Sequence, residues 1–245
     1  MNEDVYLSVI IPAYNEEKRI GKTIDIIGAY LARQPFKSEI IVSDAASPDK
    51  TAEIVRQKIP EITNLKIISQ KNKGKGEGVK VGMLAAKGRI RLFTDADNST
   101  DISHFDKMRP FFDQGYEVVI CSRDSKDAPG ARQAVAQVWY KRLMGTLGNL
   151  FIQWVAIRGV WDTQCGFKAF RDFAAEKIFS QQRVPGWGFD IETLALAKAL
   201  GYKIGIIPAY WINDPRSHVK LSGYLQVLRD TLKIRFNFWR NRYIL

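Results

Sequence analysis

Two aspartates with the spacing of a metal site follow a short apolar run. Residues 90–93 read Ile-Arg-Leu-Phe, and Asp95 and Asp97 come directly after them, one residue apart. If the run is a buried strand, both carboxylates lie at its carboxyl end, where open α/β sheets bind their ligands. Two oxygen ligands on a short turn suit Mg²⁺ or Mn²⁺, whose other positions are filled by water and phosphate oxygens. Taken alone, the pattern also fits an ordinary surface turn.

A second candidate is the segment 72–78, Asn-Lys-Gly-Lys-Gly-Glu-Gly, which precedes a predicted helix over residues 79–86. Glycines before a helix N-terminus let a phosphate approach the backbone closely, and Lys73 and Lys75 add positive charge. The segment lacks the Gly-Lys-Ser/Thr ending of a P-loop, and it does not follow the first strand as a dinucleotide-binding fingerprint does. The sequence therefore indicates either a phosphate-binding loop or a flexible basic surface loop.

Alternating strands and helices are predicted to hold these residues in place. The patterns predict strands over residues 7–11, 39–43, 65–69 and 90–93, and helices over residues 19–33, 49–58 and 79–86. Ser47 and Pro48 have the residue types of an N-cap and a first helical residue for the helix at 49–58. Strands and helices that alternate at this spacing form βαβ units, so we expect an α/β fold with a mostly parallel sheet.

The second half of the chain has a different character. It predicts strands at 118–121 and 203–208, a strand or turn at 164–170, and a helix at 191–200. Two further stretches, 135–161 and 224–245, carry aromatic and aliphatic residues at helical spacing among lysines and arginines. Such a stripe usually packs into a core, but tryptophans and basic flanks favour a helix lying in the headgroup layer of a membrane.

Composition narrows the partners and the compartment. The 245 residues suffice for one α/β domain, and a formal net charge of +11 favours nucleic acid, nucleotide phosphates or an acidic membrane surface as partner. Cys121 and Cys165 are too few for a disulfide framework and lack metal-ligand spacing, so we expect a reducing compartment. The acidic start is unlike a signal peptide, and no apolar run reaches the roughly 18 residues that span a bilayer.

Motifs spread from about residue 7 to about residue 233 resemble those of the family 2 inverting glycosyltransferases. In chain order they are Ser-Val-Ile-Ile-Pro-Ala-Tyr-Asn-Glu-Glu at 8–17, Asp44, Asn-Lys-Gly-Lys-Gly at 72–76, Thr-Asp-Ala-Asp at 94–97, Asp-Thr-Gln-Cys-Gly-Phe-Lys at 162–168 and Gly-Phe-Asp-Ile-Glu at 188–192. The last two are similar to the dolichyl-phosphate glucosyltransferase branch. Two departures stand out: residues 44–47 read Asp-Ala-Ala-Ser where Asp-Asp-Gly-Ser or Asp-Asp-Ser-Ser is usual, and Ser99 replaces a frequent glutamine.

The resemblance implies a GT-A fold, a Rossmann-like α/β domain with a mixed, mostly parallel sheet flanked by helices. We expect this domain to occupy residues 1–221 and to include the stretch 135–161 as an amphipathic membrane-surface helix. A basic amphipathic helix over residues 222–245 is expected to follow it.

The resemblance also assigns residues to a nucleotide-sugar donor and its metal ion. The donor-binding residues that it implies are Pro12, Tyr14, Asn15, Glu16, Asp44, Lys73, Gly74, Lys75, Asp95, Ala96 and Lys220. Asp97 is expected to coordinate Mg²⁺ or Mn²⁺, Asp95 to share the metal or orient the ribose, and Ser99 to stand at a third metal contact. A divalent ion at this point would neutralise the departing diphosphate as a Lewis acid.

The residues implied in catalysis are Asp97, Asp190, Arg123, Arg132 and Lys168. The two arginines match family arginines that hold an acceptor phosphate, and Lys168 is also expected to meet phosphate. A polyprenyl phosphate is mostly anionic at neutral pH, with a second pKa of roughly 6, so it needs cations and no general base. Asp190 would be a base only toward a sugar hydroxyl. On residue types alone, Asp190 also fits a helix N-cap, and the arginines fit surface ion pairs with Asp124 or Asp127.

These patterns predict an enzyme that moves a hexose, in the first place glucose from UDP-glucose, onto a polyprenyl or dolichyl phosphate. It would act peripherally on the cytosolic face of an anionic membrane, without a transmembrane span, and self-association through the apolar helical faces stays open. One alternative is a family 2 transferase that uses GDP-mannose or UDP-GlcNAc and a glycan hydroxyl. Another is a non-catalytic basic module that binds a membrane or nucleic acid. Because the carboxylate pair and the Gly/Lys loop are intact, we expect an enzyme, with no nucleic-acid partner.

Overall fold

The computed structural model describes residues 4–70, 73–133, 139–211 and 221–245. The strands are β1 Leu7–Ala13, β2 Ser38–Asp44, β3 Leu65–Ser69, β4 Ile90–Thr94, β5 Val118–Ser122, β6 Arg132–Gln133, β7 Phe167–Arg171, β8 Ile204–Pro208 and β9 Tyr210–Trp211. The helices are α1 Ile20–Leu31, α2 Thr51–Lys58, α3 Lys75–Ala85, α4 His104–Asp113, α5 Trp139–Val155, α6 Asp172–Gln181, α7 Phe189–Ala199 and α8 Leu221–Trp239.

Seven strands form one mixed sheet in the order β3-β2-β1-β4-β7-β5-β8. Neighbours run parallel except at β7, which lies antiparallel between β4 and β5. Thr94 at the end of β4 is therefore paired with Phe167 at the start of β7. This register brings the residues before β7 beside the aspartates that follow β4. The predicted mixed, mostly parallel sheet is confirmed, although the strand patterns did not identify which strand is reversed.

Helices cover both faces of the sheet, and alternate strand residues point into the two layers. Val9 and Ile11 of β1 belong to the core that also contains buried residues of α1, α2 and α4. Ile10, between them, belongs to the opposite core, with residues of α3, α6, α7 and α8. Burial on both faces explains why the strands read as continuous apolar runs.

Helix α3 begins at Lys75, four residues before the predicted start. Gly76 and Gly78 therefore lie inside a helix. A Cβ on Gly76 would stand 2.6 Å from the Cβ of Phe189, so the glycine allows α3 to pack closely against α7. The alternative of a flexible surface loop is wrong for this part of the segment, because it is helical and half-buried or buried.

Other local predictions need correction. Helix α2 begins at Thr51 after Lys50, so Ser47 is not its N-cap. Helix α7 begins at Phe189 after Gly188, which places Asp190 inside the first turn and excludes it as the N-cap. Helices α4 and α6 were not predicted at all. Cys121 and Cys165 are both buried free thiols, in agreement with the absence of a disulfide framework.

Helices α5 and α8 pack on the domain by one side and leave apolar side chains exposed on the other. Ile152 of α5 and Ile234 of α8 are buried in the same core as α7. The exposed large apolar residues of these helices are Leu150, Trp154, Leu225, Leu232, Phe236 and Trp239, of which Trp154 is 77% and Trp239 74% exposed. Within the described residues, no helix has both the length and the hydropathy to cross a bilayer.

A buried carboxylate ties together the edge of the sheet opposite the aspartates. Glu39 of β2 accepts hydrogen bonds from the Ser8 hydroxyl at 2.6 Å, from the Lys87 backbone N–H at 2.7 Å and from the Lys66 ammonium at 2.7 Å. Burial alone would raise the pKa of Glu39, but these donors lower it below its usual range. The carboxylate therefore stabilises the junction of three strands in its ionised form.

We predict that Glu39→Ala lowers the free energy of unfolding by about 2 to 3 kcal/mol, because it leaves buried donors unpaired. The lowered pKa means that this contribution is complete above the unfolded-state pKa, about 4.3, and is lost as the pH falls through the folded-state value. Urea denaturation at pH 7 and at pH 3 measures both. Glu53→Ala, which removes an exposed glutamate from α2, is the control and should change stability by less than about 0.5 kcal/mol. Equal effects of the two variants at pH 7 would contradict the role of Glu39.

Candidate active site

Asp95 lies directly after β4 and is already paired with a cation. The Lys75 ammonium, at the first residue of α3, lies 2.6 Å from Asp95 Oδ1. On its other side Asp95 touches Gly166, where an added Cβ would overlap the carboxylate. Although burial by itself lowers the pKa of Lys75, the negative charges of Asp95 and Asp190 raise it above its usual value. Lys75 therefore stays charged beside the carboxylate.

Asp97 stands at the tip of the same turn. Its Oδ1 accepts a hydrogen bond from the Ser99 backbone N–H at 2.9 Å, and its Oδ2 lies 3.9 Å from the Arg19 guanidinium. The turn is fixed against α1, because the Thr23 hydroxyl of that helix donates to the carbonyl of Ala96 at 2.7 Å. The Ser99 hydroxyl is buried and has no hydrogen-bond partner among the described residues.

The two aspartates fit a divalent cation of the hard, oxygen-binding kind. Their side chains are 31% and 22% exposed, so water or a ligand can reach them. The described residues contain no group of three or more His, Cys, Asp or Glu side chains that could hold a metal ion. An ion held by Asp95 and Asp97 would thus take its other ligands from groups other than described His, Cys, Asp or Glu side chains, as Mg²⁺ does when it binds through one or two carboxylates, water and substrate phosphates.

Glu16 supports Arg19 rather than facing open solvent. Its carboxylate accepts two hydrogen bonds from the Arg19 guanidinium, each 2.7 Å long. Burial raises the pKa of Glu16 against the opposing effect of Arg19. The sequence prediction placed Glu16 among the donor contacts and missed Arg19. The spacing of three residues between them was the available signal.

The carboxyl ends of β1 and β2 form a second wall of the crevice. Asp44 Oδ1 accepts a hydrogen bond from the Ser47 hydroxyl at 2.6 Å, and the same hydroxyl oxygen accepts one from the Asn15 backbone N–H at 3.0 Å. Asn15 has φ 58° and Ala46 has φ 51°, in the left-handed region. Alanine is strained there, and such strain is concentrated at functional sites. Ala46 occupies the position at which the related motif carries glycine or serine.

The remaining residues that were predicted to bind the donor lie around the start of α3. The Lys73 ammonium lies 5.6 Å from the centre of the exposed Tyr14 ring, and Lys75 lies 5.3 Å from that of Trp187. Pro12 at the end of β1 packs against Gly78, and Gly74, with φ 137°, contacts the carbonyl of Pro185. Trp187 was not identified from the sequence, because a tryptophan before a helix has no distinctive pattern.

Arg123 is held rigidly after β5. Its guanidinium makes two hydrogen bonds of 2.8 Å to the two oxygens of Asp162, whose Oδ2 also accepts its backbone N–H. Trp211 covers the guanidinium, 5.2 Å from the ring centre. Burial would raise the pKa of Asp162, but the Arg123 charge lowers it below its usual range. The partner is Asp162, so the predicted ion pair with Asp124 or Asp127 is wrong for Arg123.

Lys168 and Asp190 form a buried ion pair behind these residues. Lys168 is 0% and Asp190 2% exposed. The ammonium donates to Asp190 and to the carbonyl of Cys165, the latter at 2.6 Å, and lies 5.3 Å from the centre of the Phe93 ring. Burial raises the pKa of Asp190, while the charges of Lys168 and Lys75 lower it. Burial also raises the pKa of the Cys165 thiol, to about 12, so the thiol stays protonated.

The structure thus brings together most of the predicted residues at one edge of the sheet. Asp95 touches Gly166 and Arg123 binds Asp162, so both lie against the segment that precedes β7. Lys220 and the side chain of Arg132 lie outside the described residues, so their assignments stay predictions. A site with two partly exposed carboxylates and fixed cations beside them suits phosphate chemistry, in which positioning and charge neutralisation do most of the work.

A family model described as Glycosyl transferase family 2 matches residues 8–179. A dolichyl-phosphate beta-glucosyltransferase of Trichomonas vaginalis is 32% identical over 97% of this chain and 76% of its own length. The proteins of the same name from Drosophila melanogaster and Homo sapiens are 34% and 31% identical, over 93% and 96% of this chain and 74% and 77% of their own lengths.

Solved structures share the fold at lower identity. Glucosyl-3-phosphoglycerate synthase from Mycobacterium tuberculosis in complex with UDP gives a TM-score of 0.69 at 20% identity, covering 95% of this chain and 80% of that one. The same enzyme with Mn²⁺, UDP-glucose and phosphoglyceric acid gives 0.67 at 20% identity, over 94% and 79%. This likeness confirms the predicted GT-A-like architecture. The family match over most of the chain, together with relatives above 30% identity along nearly its full length, shows that the chain belongs to glycosyl transferase family 2, in which it resembles the dolichyl-phosphate beta-glucosyltransferases.

Proposed function

We propose that this glycosyltransferase moves glucose from UDP-glucose onto a dolichyl or related polyprenyl phosphate, with inversion and a divalent metal ion, at the cytosolic face of a membrane. The observation that carries the proposal is that Asp95, Asp97 and Lys75 lie at the same edge of the sheet as Arg123, after the ends of β4 and β5 that flank β7. Support for the substrates comes from the names of relatives that match nearly the whole chain.

The donor side is the crevice between the ends of β1, β2 and β4 and the start of α3. Solved proteins of this fold hold UDP, or UDP-glucose and Mn²⁺. Asp97, with Asp95, would hold Mg²⁺ or Mn²⁺, which when bound neutralises the charge that develops on a departing diphosphate. Lys75 keeps a positive charge in the same place, and its contacts with Asp95 and Trp187 limit the directions in which it can point.

The acceptor side is the region in front of Arg123. The bidentate contact with Asp162 and the ring of Trp211 fix the guanidinium, so little side-chain entropy is lost when it meets a ligand. An arginine held in this way suits the oxygens of a phosphate monoester. A phosphate that is already ionised attacks without transferring a proton to the enzyme. The chain then has to orient it and to reduce its repulsion from the donor.

The burial of Asp190 speaks against the alternative in which a glycan hydroxyl is activated by a base. A general base must reach the proton that it removes, directly or through one water. Asp190 is 2% exposed and engaged by Lys168, so its carboxylate is turned into the protein. We therefore assign Asp190 and Lys168 to the support of the site and not to contact with the acceptor.

The outward faces of α5 and α8 fit an anionic membrane surface. Their exposed apolar side chains are accompanied on and after α8 by basic residues, namely Arg229, Lys233, Arg235, Arg240 and Arg242. Each basic residue close to an anionic surface contributes about 1 kcal/mol to binding. A lipid-linked acceptor would reach the site from such a surface. The same faces also allow self-association, because several large apolar side chains are exposed on them together, whereas apolar residues on the surface of a monomer are usually scattered singly.

The first test concerns the metal. Asp97→Ala is expected to reduce turnover by several orders of magnitude and to abolish the Mn²⁺ dependence of UDP binding, since it removes a principal ligand. Initial rates and calorimetric titration with UDP, with and without Mn²⁺, measure this. Asp113→Ala, at an exposed position at the end of α4, is the control and should leave both unchanged. Near-normal turnover of a folded Asp97→Ala protein would refute the assignment.

The second test concerns the acceptor phosphate. Arg123→Gln is expected to raise the acceptor KM or lower kcat by about ten- to a hundredfold, as the loss of a charged hydrogen bond does, while the Kd for UDP stays within about twofold. Arg132→Gln should act in the same direction.

Two further variants separate this role from folding. The double variant Arg123→Gln with Asp162→Asn removes both charges of the pair, so it leaves no unpaired charge behind. If this variant is stable and still turns over the acceptor poorly, the defect comes from the lost contact with the acceptor. Arg91→Gln, which breaks an arginine pair with Glu176 outside the site, is the matched control. Equal losses of donor and acceptor affinity would instead place Arg123 on the donor side.

The third test concerns the membrane surface. Replacing Leu232 and Trp239 of α8 by serine should weaken co-sedimentation with vesicles of anionic lipid and leave UDP affinity unchanged, because both side chains are exposed. Phe173→Ser, an exposed aromatic on α6, is the control. Binding of the unaltered protein should decrease as salt is added. If the unaltered protein ignores vesicles of every composition at low salt, the surface-helix proposal is wrong.

A further inference from the structure

The segment 182–188, which links α6 to α7, forms part of the donor-side wall. The Pro185 carbonyl accepts a hydrogen bond from the backbone N–H of Glu77 in the first turn of α3, at 3.1 Å. The side-chain amide of Gln182 donates to the carbonyl of Gly76 at 2.9 Å. Trp187, near the end of the segment, lies against the Lys75 ammonium. The position of this segment therefore sets the position of the start of α3 and of Lys75.

One fully buried carboxylate holds this segment from behind. Glu192 of α7 is 0% exposed and accepts the backbone N–H of Val184 at 2.8 Å and that of Arg183 at 3.1 Å. Burial raises the pKa of Glu192, against the opposing effect of these donors. Among the described residues, none of its hydrogen bonds is with Asp95 or Asp97. Its contacts are those of a group that fixes backbone.

The third donor to this carboxylate comes from beyond α8. The Tyr243 hydroxyl donates to Glu192 Oε1 at 2.6 Å and accepts a hydrogen bond from the Asn237 amide at 3.3 Å. The Tyr243 ring is buried and packs on Phe238, with 4.6 Å between the ring centres. Asp230 of α8 also accepts the Gly188 backbone N–H at 3.3 Å, and the Arg183 guanidinium donates to the Arg242 carbonyl at 2.8 Å, so the C-terminal region contacts both ends of the segment.

We propose that Glu192 and Tyr243 are positioning residues for the donor site, which hold segment 182–188 against α3 so that Lys75 meets Asp95 and the donor diphosphate. The identity of the donor rests on the function proposed above. The contacts that run from Tyr243 through Glu192, Val184 and Pro185 to α3 are independent of that function. Removing the tyrosine hydroxyl leaves the carboxylate with fewer donors, and the segment loses part of its anchor.

A matched pair of variants tests this. Tyr243→Phe and Tyr30→Phe each delete the hydroxyl of a buried tyrosine that donates to a carboxylate, at 2.6 Å to the buried Glu192 and at 2.7 Å to the exposed Asp106, and the two rings lie in opposite layers of the core. Both variants should lower Tm, and Tyr243→Phe should lower it more, because the carboxylate that loses a donor is buried only in that variant. Only Tyr243→Phe should raise the Kd for UDP with Mn²⁺, by about five- to tenfold, the effect of one lost hydrogen bond. The acceptor KM should stay unchanged in both.

Hydrogen exchange tests the positioning role without assuming which donor is bound, because the measurement needs no ligand. Amide exchange in residues 74–78 and 183–188 should be faster in Tyr243→Phe than in Tyr30→Phe. Glu192→Gln should keep the slow exchange, because the tyrosine hydroxyl can accept from the new amide while the remaining oxygen still accepts from Val184. Glu192→Ala should lose it.

Equal exchange and equal UDP affinity in the two tyrosine variants would overturn the proposal. So would weaker UDP binding without faster exchange, or faster exchange without weaker binding, because the effect would then not pass from the segment to the donor site. If the unaltered protein fails to bind UDP with Mn²⁺, the proposed function is wrong. In that case the amide exchange of residues 74–78 alone tests whether Glu192 and Tyr243 hold the start of α3 in place.

Discussion

A lysine ammonium buried between the sheet and α7 is the interaction on which the geometry of the site depends. Lys168 comes from the central reversed strand and is fully excluded from solvent. An unpaired charge at such a place costs several kcal/mol, so α7 has to lie where Asp190 can meet it. Once α7 is placed, the segment before it is placed too, and with it the start of α3. The positions of Lys75 and Asp95 thus follow from a pair that itself is turned away from the crevice.

The same principle of paired charges extends to the open side of the site. Arg19 is held by Glu16, Lys75 by Asp95 and Arg123 by Asp162. Cations fixed in this way are oriented before any ligand arrives, which reduces the reorganisation needed when charge moves between phosphates. Residues 221–245 carry five lysines and arginines against one aspartate, and Arg240 and Arg242 lie over the exposed rings of Phe236 and Trp239.

The sequence predicted best where a local pattern carries the information. Strand β3 and the Asp95 and Asp97 turn were found from apolar periodicity and residue type. The early start of α3 was missed, because glycines usually break helices and their packing against Phe189 depends on a helix more than a hundred residues later. The burial of Lys168 was missed for a related reason, since a lysine in a strand reads as exposed until its partner on another element is known. The left-handed backbone of Ala46 was also missed, because alanine is not a residue type that predicts a positive φ.

The reversed strand has a consequence for how the chain is assembled. Strands β1 to β4 are neighbours in sequence and can pair as soon as they are synthesised, but the outer edge of β4 is filled only by residues 167–171. Until those residues leave the ribosome, β4 presents an unpaired apolar edge, which is the kind of surface that recruits other strands. Strand β5 precedes β7 in the chain and yet contacts β4 only through it, so β5 has to wait as well. In a newborn chain the pairing of β1 to β4 can therefore precede that of β5 and β8, and insertion of a single five-residue strand joins the two parts of the sheet.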